Sequence, residues 1–404
     1  MMHTPSTERE WLALKIELNR LFSAAPLSPL SISSSIKREM NPGRIPDVRL
    51  MLRAVRDPAK HILLYGERGV GKTSLSNTFW LEEDSLSHPV ISTRVPVYPT
   101  DNFSSLWLRA LKEFAIAMEP YDCEILAAVE KVTPDLVRKE LQKAPPRTRP
   151  LIVVDEFDLL RDAEARELTA HLLKTLHDAA INVTILLVGV AENVDELIEN
   201  HQSLRRVLCS VKLKRMGRID LQNIIMQRLR STPLDIAEDT LCAIIALSCG
   251  LPYYVQVLTR LAAQITLESE RLLITSCDLE AAIADFLVEN REVFFEDYRK
   301  ATAKRRSGAS AFQAILLASA LSPGDDNGSF LIADVVDTLE RMGSEFAANT
   351  RRVERCLALL ATNTRGAVLV RIDRDGKAKY RFTDALLQPF VIMHETNGRI
   401  LDES

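Results

Sequence analysis

The stretch HILLYGERGVGKTSLSNTFW, residues 61–80, constrains this chain more than any other. An apolar run from Ile62 to Tyr65 ends in G-x-x-x-x-G-K-T at Gly66–Thr73, and a helical pattern begins at once. Strand, glycine-rich loop and helix in that order make a phosphate-binding loop. The glycines let the backbone fold tightly enough for its N–H groups to surround phosphate oxygens, and the helix start adds a favourable dipole. In this reading Gly66, Glu67, Arg68, Gly69, Val70 and Gly71 form the cradle, and Ser74 follows in the first helical turn. Lys72 supplies a point charge for the β- and γ-phosphates, and the Thr73 hydroxyl is placed to ligate Mg2+. The bland alternative, a glycine turn that happens to contain Lys-Thr, is opposed by the strand in front and the helix behind.

A second run, RPLIVVDEFDLL at 149–160, is a continuous β-branched stretch of the kind buried in a parallel sheet. It ends in Asp155-Glu156, and doubly wound sheets bind ligands at the carboxyl ends of their strands. Asp155 is expected to hold Mg2+ through water, and Glu156 to orient and polarise an attacking water. Together the two motifs predict ATP/ADP binding with Mg2+ and ATP hydrolysis.

Composition limits the alternatives. With 47% hydrophobic and 26% charged residues over 404 positions, the chain reads as globular, with two or three domains. No apolar run approaches the roughly 20 residues of a membrane helix. The amino-terminal stretch lacks the basic-then-apolar order of a signal peptide. Six scattered cysteines without a C-x-x-C pair read as reduced thiols of a cytoplasmic protein. A net charge of -4 argues against wholesale coating of nucleic acid but allows local basic patches.

HPVISTRVPVYPTDNFSSLWLRAL, 88–111, reads as a strand and helix between the two motifs. A helix from near Asp162 and the buried strand in INVTILLVGVAENVDELI, 181–198, follow the second motif. An α/β P-loop core with parallel strands and helices on both faces follows. The order resembles the AAA+ superfamily, specifically its origin-recognition/initiator-like and STAND-like ATPases, over about residues 40 to 390. The resemblance implies that Gly43 and Arg44, in NPGRIPDVRLMLRAV, frame the adenine. It implies a sensor at the tip of the 181–193 strand. Asn193 is chosen for that role; Glu192 is the competing register and a plain helix N-cap the alternative. It also implies that Arg205 or Arg206, in HQSLRRVLCSVKLKRM, reaches the nucleotide of a neighbouring subunit; both could equally be surface arginines.

Between Gly217 and about Asn290 the apolar spacing is purely helical, as for an all-α lid. The run SCGLPYYVQVL, 248–258, breaks that pattern at Gly250 and Pro252. Tyr253 and Tyr254 stand where the resemblance would place a sensing arginine, and G-x-P resembles the STAND-type motif in which Pro252 backs onto base and sugar. Helix–turn–helix punctuation with proline in the first turn is the plainer reading. Residues 301–395 give three helical patterns and then AVLVRIDRDGKAKYRF, whose Asp-Gly pair at 375–376 is a hairpin turn. That is the order of a winged helix. Ten Lys/Arg against four acids between 341 and 381 suit a duplex backbone, with Arg371, Arg374, Lys377 and Lys379 on the wing. Packing on the ATPase core or on a protein is the alternative.

The expected division is 1–40 helical extension, 41–216 core, 217–300 lid, 301–395 winged helix and 396–404 tail. The expected activity is that of an ATPase switch that forms a homo-oligomer on ATP binding and acts with a separate effector, with duplex DNA as a further partner. Initiator, transposition-regulator and anti-phage defence settings all fit that pattern. A nucleotide-dependent DNA-binding regulator with little turnover is the rival.

Overall fold

The computed structural model describes residues 7–22, 43–57, 60–82, 89–118, 131–145, 147–191, 204, 206–303, 309–374 and 377–396. The chain divides into two compact units. One comprises Ala24–Glu67 and Gly71–Leu213; the other comprises Met1–Ser23, Arg68–Val70 and Lys214–Ser404. The first helix in the chain, α1 (Glu8–Phe22), belongs to the second of these.

The sheet unit begins with α2 (Ile45–Arg56), then β1 (His61–Gly66) and α3 (Lys72–Thr78). β2 (Val90–Pro96), α4 (Phe103–Ala117), α5 (Pro134–Leu141) and β3 (Arg149–Asp155) follow. α6 (Ala163–Asp178), β4 (Thr184–Val190) and β5 (Leu208–Leu213) complete it. The five strands lie in the order β2-β3-β4-β1-β5, all parallel. The motif-bearing strands β1 and β3 are therefore separated by β4. Ile62, Leu63 and Leu64 of β1 and Leu151 to Val154 of β3 are buried, which explains why these runs are apolar without alternation. Local signals set the helix starts. Asn102 and Ser105 form a capping box on α4, and the Asp162 carboxylate accepts from the Glu164 and Ala165 amides to begin α6. Phe103, Trp107, Phe114, Leu172 and Leu176 lie in one buried cluster with Ile152 and Val154 of β3 and Ile185 of β4.

After α1, the helical unit runs α7 (Arg218–Leu229), β6 (Asp235–Ile236), α8 (Glu238–Leu247), α9 (Pro252–Glu268), β7 (Leu273–Ile274), α10 (Ser276–Glu289) and α11 (Arg291–Thr302). α1 packs on α9 with Leu18 and Phe22 buried, and Gln264 donates to Asn19 at 2.6 Å. The segment from α7 to α10 is not purely helical, because β6 and β7 pair in parallel over two residues each. The ladder is too short to give a period-2 signal, so the helical spacing concealed it. The break expected at Gly250 is present. α8 ends at Leu247, Cys249 and Gly250 take φ of 50° and 81°, and Pro252 sits in the first turn of α9. Tyr254 is buried against Phe286 with ring centroids 5.3 Å apart.

The chain continues with α12 (Ala309–Leu321), β8 (Phe330–Leu331), α13 (Ile332–Arg341) and α14 (Thr350–Leu360). β9 (Leu369–Arg374), β10 (Lys377–Phe382) and α15 (Leu387–Thr396) end the described chain. Three helices followed by a hairpin, the order expected for this region, are present, and β8 joins the hairpin to give the sheet β8-β10-β9. No helix among the described residues is long and apolar enough to cross a membrane.

Candidate functional site

β1 delivers the chain to Gly66, whose φ is +146°. A Cβ there would stand 2.5 Å from the Leu213 carbonyl oxygen on β5, so the backbone approach admits glycine alone. Gly69 and Gly71 also have positive φ, +84° and +97°, and Gly71 caps α3. The Lys72 side chain is buried, and its Nζ donates to the Gly66 and Glu67 carbonyls at 2.9 and 2.8 Å. The ammonium is thus curled into the loop that contributes its own cradle. Thr73 and Ser74 are exposed on the first turn of α3. Arg68, Gly69 and Val70 count with the helical unit. There Arg68 pairs with Asp384 at 3.3 Å, and the Gly69 carbonyl accepts from the Tyr253 amide at 3.4 Å.

Asp155 is the last residue of β3, and its Oδ1 accepts the Glu156 amide at 3.0 Å. Its Oδ2 accepts from Arg94 Nη2 at 2.6 Å, an ion pair mostly out of solvent. Arg94 also donates to Ser76 Oγ at 3.2 Å and to Asn77 Oδ1. One β2 side chain therefore joins the β3 carboxylate to α3, the helix that starts the phosphate loop's exit. Arg94 was not foreseen; the available signal was a lone arginine inside the strand pattern VISTRVP. Glu156 is exposed and left-handed, φ 57° and ψ 39°. A non-glycine residue held in that region points to local strain within the acidic pair itself.

The remaining candidates separate. Gly43 has φ +74°, and buried Arg44 lies 3.7 Å from Asp47 at the start of α2. Arg206 is exposed, and its carbonyl accepts from Lys60 Nζ. Asn193, Glu192 and Arg205 lie outside the described residues. Pro252 is buried at the head of α9, and Tyr253 is exposed beside it. On the hairpin, Arg371 pairs with Asp373 at 3.1 Å and Lys379 with Asp325 at 3.0 Å. Two of the four hairpin cations expected to meet DNA are thus partnered by acids of the same unit. The Arg374 and Lys377 side chains lie outside what is described.

The donor set fits a nucleotide with a hard divalent cation. Lys72 offers an ammonium to phosphate, while the Thr73 hydroxyl and Asp155 carboxylate are oxygen ligands of the type Mg2+ takes.

Residues 55–198 match the family model described as an AAA domain. The chain is similar in fold to the Orc1 protein of Aeropyrum pernix, solved in complex with DNA. That match has a TM-score of 0.50 and 17% identity, and covers 89% of this chain and 94% of that one. It is also similar to a Walker-type ATPase of Pyrococcus abyssi, with a TM-score of 0.51 and 19% identity over 92% and 99% of the two chains. No curated protein sequence matches the chain. The expected resemblance to initiator-type AAA+ ATPases is thereby met at the level of fold.

Proposed function

Taking residues 55–198 as an AAA domain, we propose that the chain binds ATP with Mg2+, hydrolyses it, and uses the cycle as a switch acting on a partner. The observation that carries this reading is the left-handed glycine loop with its buried Lys72 ammonium at the carboxyl end of β1, and Asp155 at the carboxyl end of β3, with β4 pairing with both strands. In it Lys72 leaves the Gly66 and Glu67 carbonyls for the phosphates and neutralises charge there. Thr73 and Asp155 hold the cation, whose contribution when bound is Lewis-acid stabilisation of the phosphoryl oxygens. Glu156, exposed at the strand end, orients a water and accepts its proton. Arg206 or Arg205 belongs to a neighbouring copy's site in a homo-oligomer, and Gly43, Arg44 and Pro252 enclose the base. The working division is a core over 41–216, a lid over 217–300 and a winged helix over 301–395. Duplex DNA is the proposed partner of the last, through Arg371, Arg374, Lys377 and Lys379.

Phosphate release, with and without duplex DNA, tests the reading. Glu156→Gln is expected to abolish release while ATP still binds; equal release by wild type and variant would refute hydrolysis through Glu156. A second reading, a DNA-binding regulator with little turnover, is favoured by Arg94 occupying Asp155. Tight ATP binding with negligible release even on DNA would select it. Reversing the four wing charges should lower the slope of log affinity against log salt by roughly one for each phosphate no longer neutralised. An unchanged slope removes DNA from the proposal.

A further inference from the structure

The connector that leaves β5 at Leu213 and enters α7 at Arg218 carries Arg215, whose side chain meets several separate elements of the helical unit. Arg215 Nη1 donates to the Cys249 carbonyl at 3.2 Å and to Gln388 Oε1 at 2.7 Å. Gln388 is buried on α15, and its Nε2 donates to the Ala320 carbonyl of α12 at 2.8 Å. The guanidinium also lies close against Gly328 in the loop before β8. A Cβ on that residue would fall 2.2 Å from Nη2 and 2.3 Å from Cζ, at a φ of +67°. At the helical joint, a Cβ on Gly250 would meet Arg215 Cβ at 2.9 Å and the Met216 carbonyl oxygen at 3.2 Å, at a φ of +81°. Two glycine positions far apart in sequence are thus shaped around one arginine.

The backbone of the connector follows the same route. The Met216 amide donates to Gly250 O at 2.9 Å, the Arg215 amide to Asp326 O at 3.3 Å, and Lys214 pairs with Asp326 at 2.7 Å. The acceptor loop is itself stiffened. Asp325 accepts from the Asn327 and Ser329 amides and from Lys379, which carries the order on into the hairpin. Cys249 is held at φ 50°, a conformation that persists only where neighbours fix it.

We infer that Arg215 is a positioning residue that fastens the joint at Cys249–Gly250 to the winged-helix module, so that joint and module move as one body. Both bonds leave Nη1, while Nη2, Cζ and Nε of the same planar group fill the space beside Gly328, which the point charge of a lysine would leave empty. Any event that shifts the joint therefore shifts α15 and the loop before β8 with it. The inference goes beyond the nucleotide reading and stands whether or not ATP is hydrolysed.

Hydrogen exchange of the full chain without nucleotide tests it, followed over residues 246–252, 320–331 and 385–393, with 149–155 of β3 as the internal reference. Arg215→Ala is expected to speed exchange by about tenfold or more in all three segments together, since it removes charge-assisted bonds, and to leave 149–155 unchanged. Gln388→Ala should act in the same direction, and the double variant should exchange no faster than Arg215→Ala alone. Arg215→Lys keeps the charge but loses the planar group, and should fall between wild type and alanine. Exchange within twofold of wild type for Arg215→Ala, or multiplying effects in the double variant, would overturn the clamp. Should Arg215→Ala fail to fold, Arg215→Lys decides. Faster exchange in all three segments supports the clamp, and a rise in one segment alone overturns it.

Discussion

The pair between Arg94 and Asp155 offers the sharpest check on the site's energetics. Arg94→Ala removes a 2.6 Å ion pair whose partners are 29% and 14% exposed, so solvent screens it only in part. At about 4 Å between charge centres and an effective dielectric near 20, the attraction is roughly 4 kcal/mol. Desolvation and the ordering of a long side chain take back a share of this, and the Glu156 amide keeps one bond to the carboxylate. Exposed pairs couple by about 0.2–1 kcal/mol, and breaking fully buried ones costs about 3–5 kcal/mol. A coupling near 2 kcal/mol is therefore expected for this half-buried pair. The measurement is a double-mutant cycle of Arg94→Ala and Asp155→Ala, following exchange of residues 149–155 in rising urea, which reads the sheet unit without assuming that both units unfold together. The loss of α3's tie to Ser76 and Asn77 appears in the Arg94 single variant and cancels in the cycle. A coupling below about 0.5 kcal/mol would mean that Arg94 does not hold Asp155, and the case for low turnover would lose its support.

Three further outcomes are expected. His61 is buried with Nδ1 accepting the Ile185 amide and Nε2 meeting the Leu173 carbonyl, and burial lowers its pKa from 6.5 to about 4. The unfolded chain then binds the extra proton, so stability is lost as pH falls from 6.5 towards 4, by roughly 3 kcal/mol in full. Urea midpoints at pH 7.5 and 5 should differ less in His61→Gln than in wild type, and an equal difference would exclude His61 as the source. Gly66→Ala forces a Cβ within 2.5 Å of Leu213 O and should cost about 2–4 kcal/mol in the urea transition of the sheet unit. A loss under about 0.5 kcal/mol would show that β1 and β5 can separate there. Lys72→Ala should weaken binding of a fluorescent ATP analogue by about 10- to 100-fold with β3 exchange unchanged, and unaltered affinity would remove Lys72 from the site.

Ion pairing on the β9–β10 hairpin bears on the salt dependence of the proposed DNA binding. Lys379 meets Asp325, whose pKa burial tends to raise but which the Ser329 amide and Lys379 hold below its usual value. A phosphate must compete with that carboxylate, so the salt slope contributed by Lys379 should be smaller than that of an unpaired lysine.

The sequence by itself determined the elements that local chemistry dictates. A glycine loop between an apolar strand and a helix, a continuous β-branched run ending in two acids, and an Asp-Gly turn between alternating segments each have one cheap backbone solution. The two apolar strands formed where expected, as did the antiparallel strands that flank the Asp-Gly pair. The break at Gly250 and Pro252 was equally legible, since neither residue continues a helix. Its purpose was not legible. That Gly250 must admit Arg215, that Gly328 must do the same from another element, and that Gln388 closes the arrangement are facts of approach between residues 35 to 173 positions apart. The Arg94–Asp155 pair is of the same kind, set when β2 and β3 align in parallel register with Pro96 opposite Asp155. Periodicity reports which face of an element is buried, whereas a side-chain partner across the fold depends on strand order and on backbone spacing of a few ångströms. Only the tertiary structure fixes those.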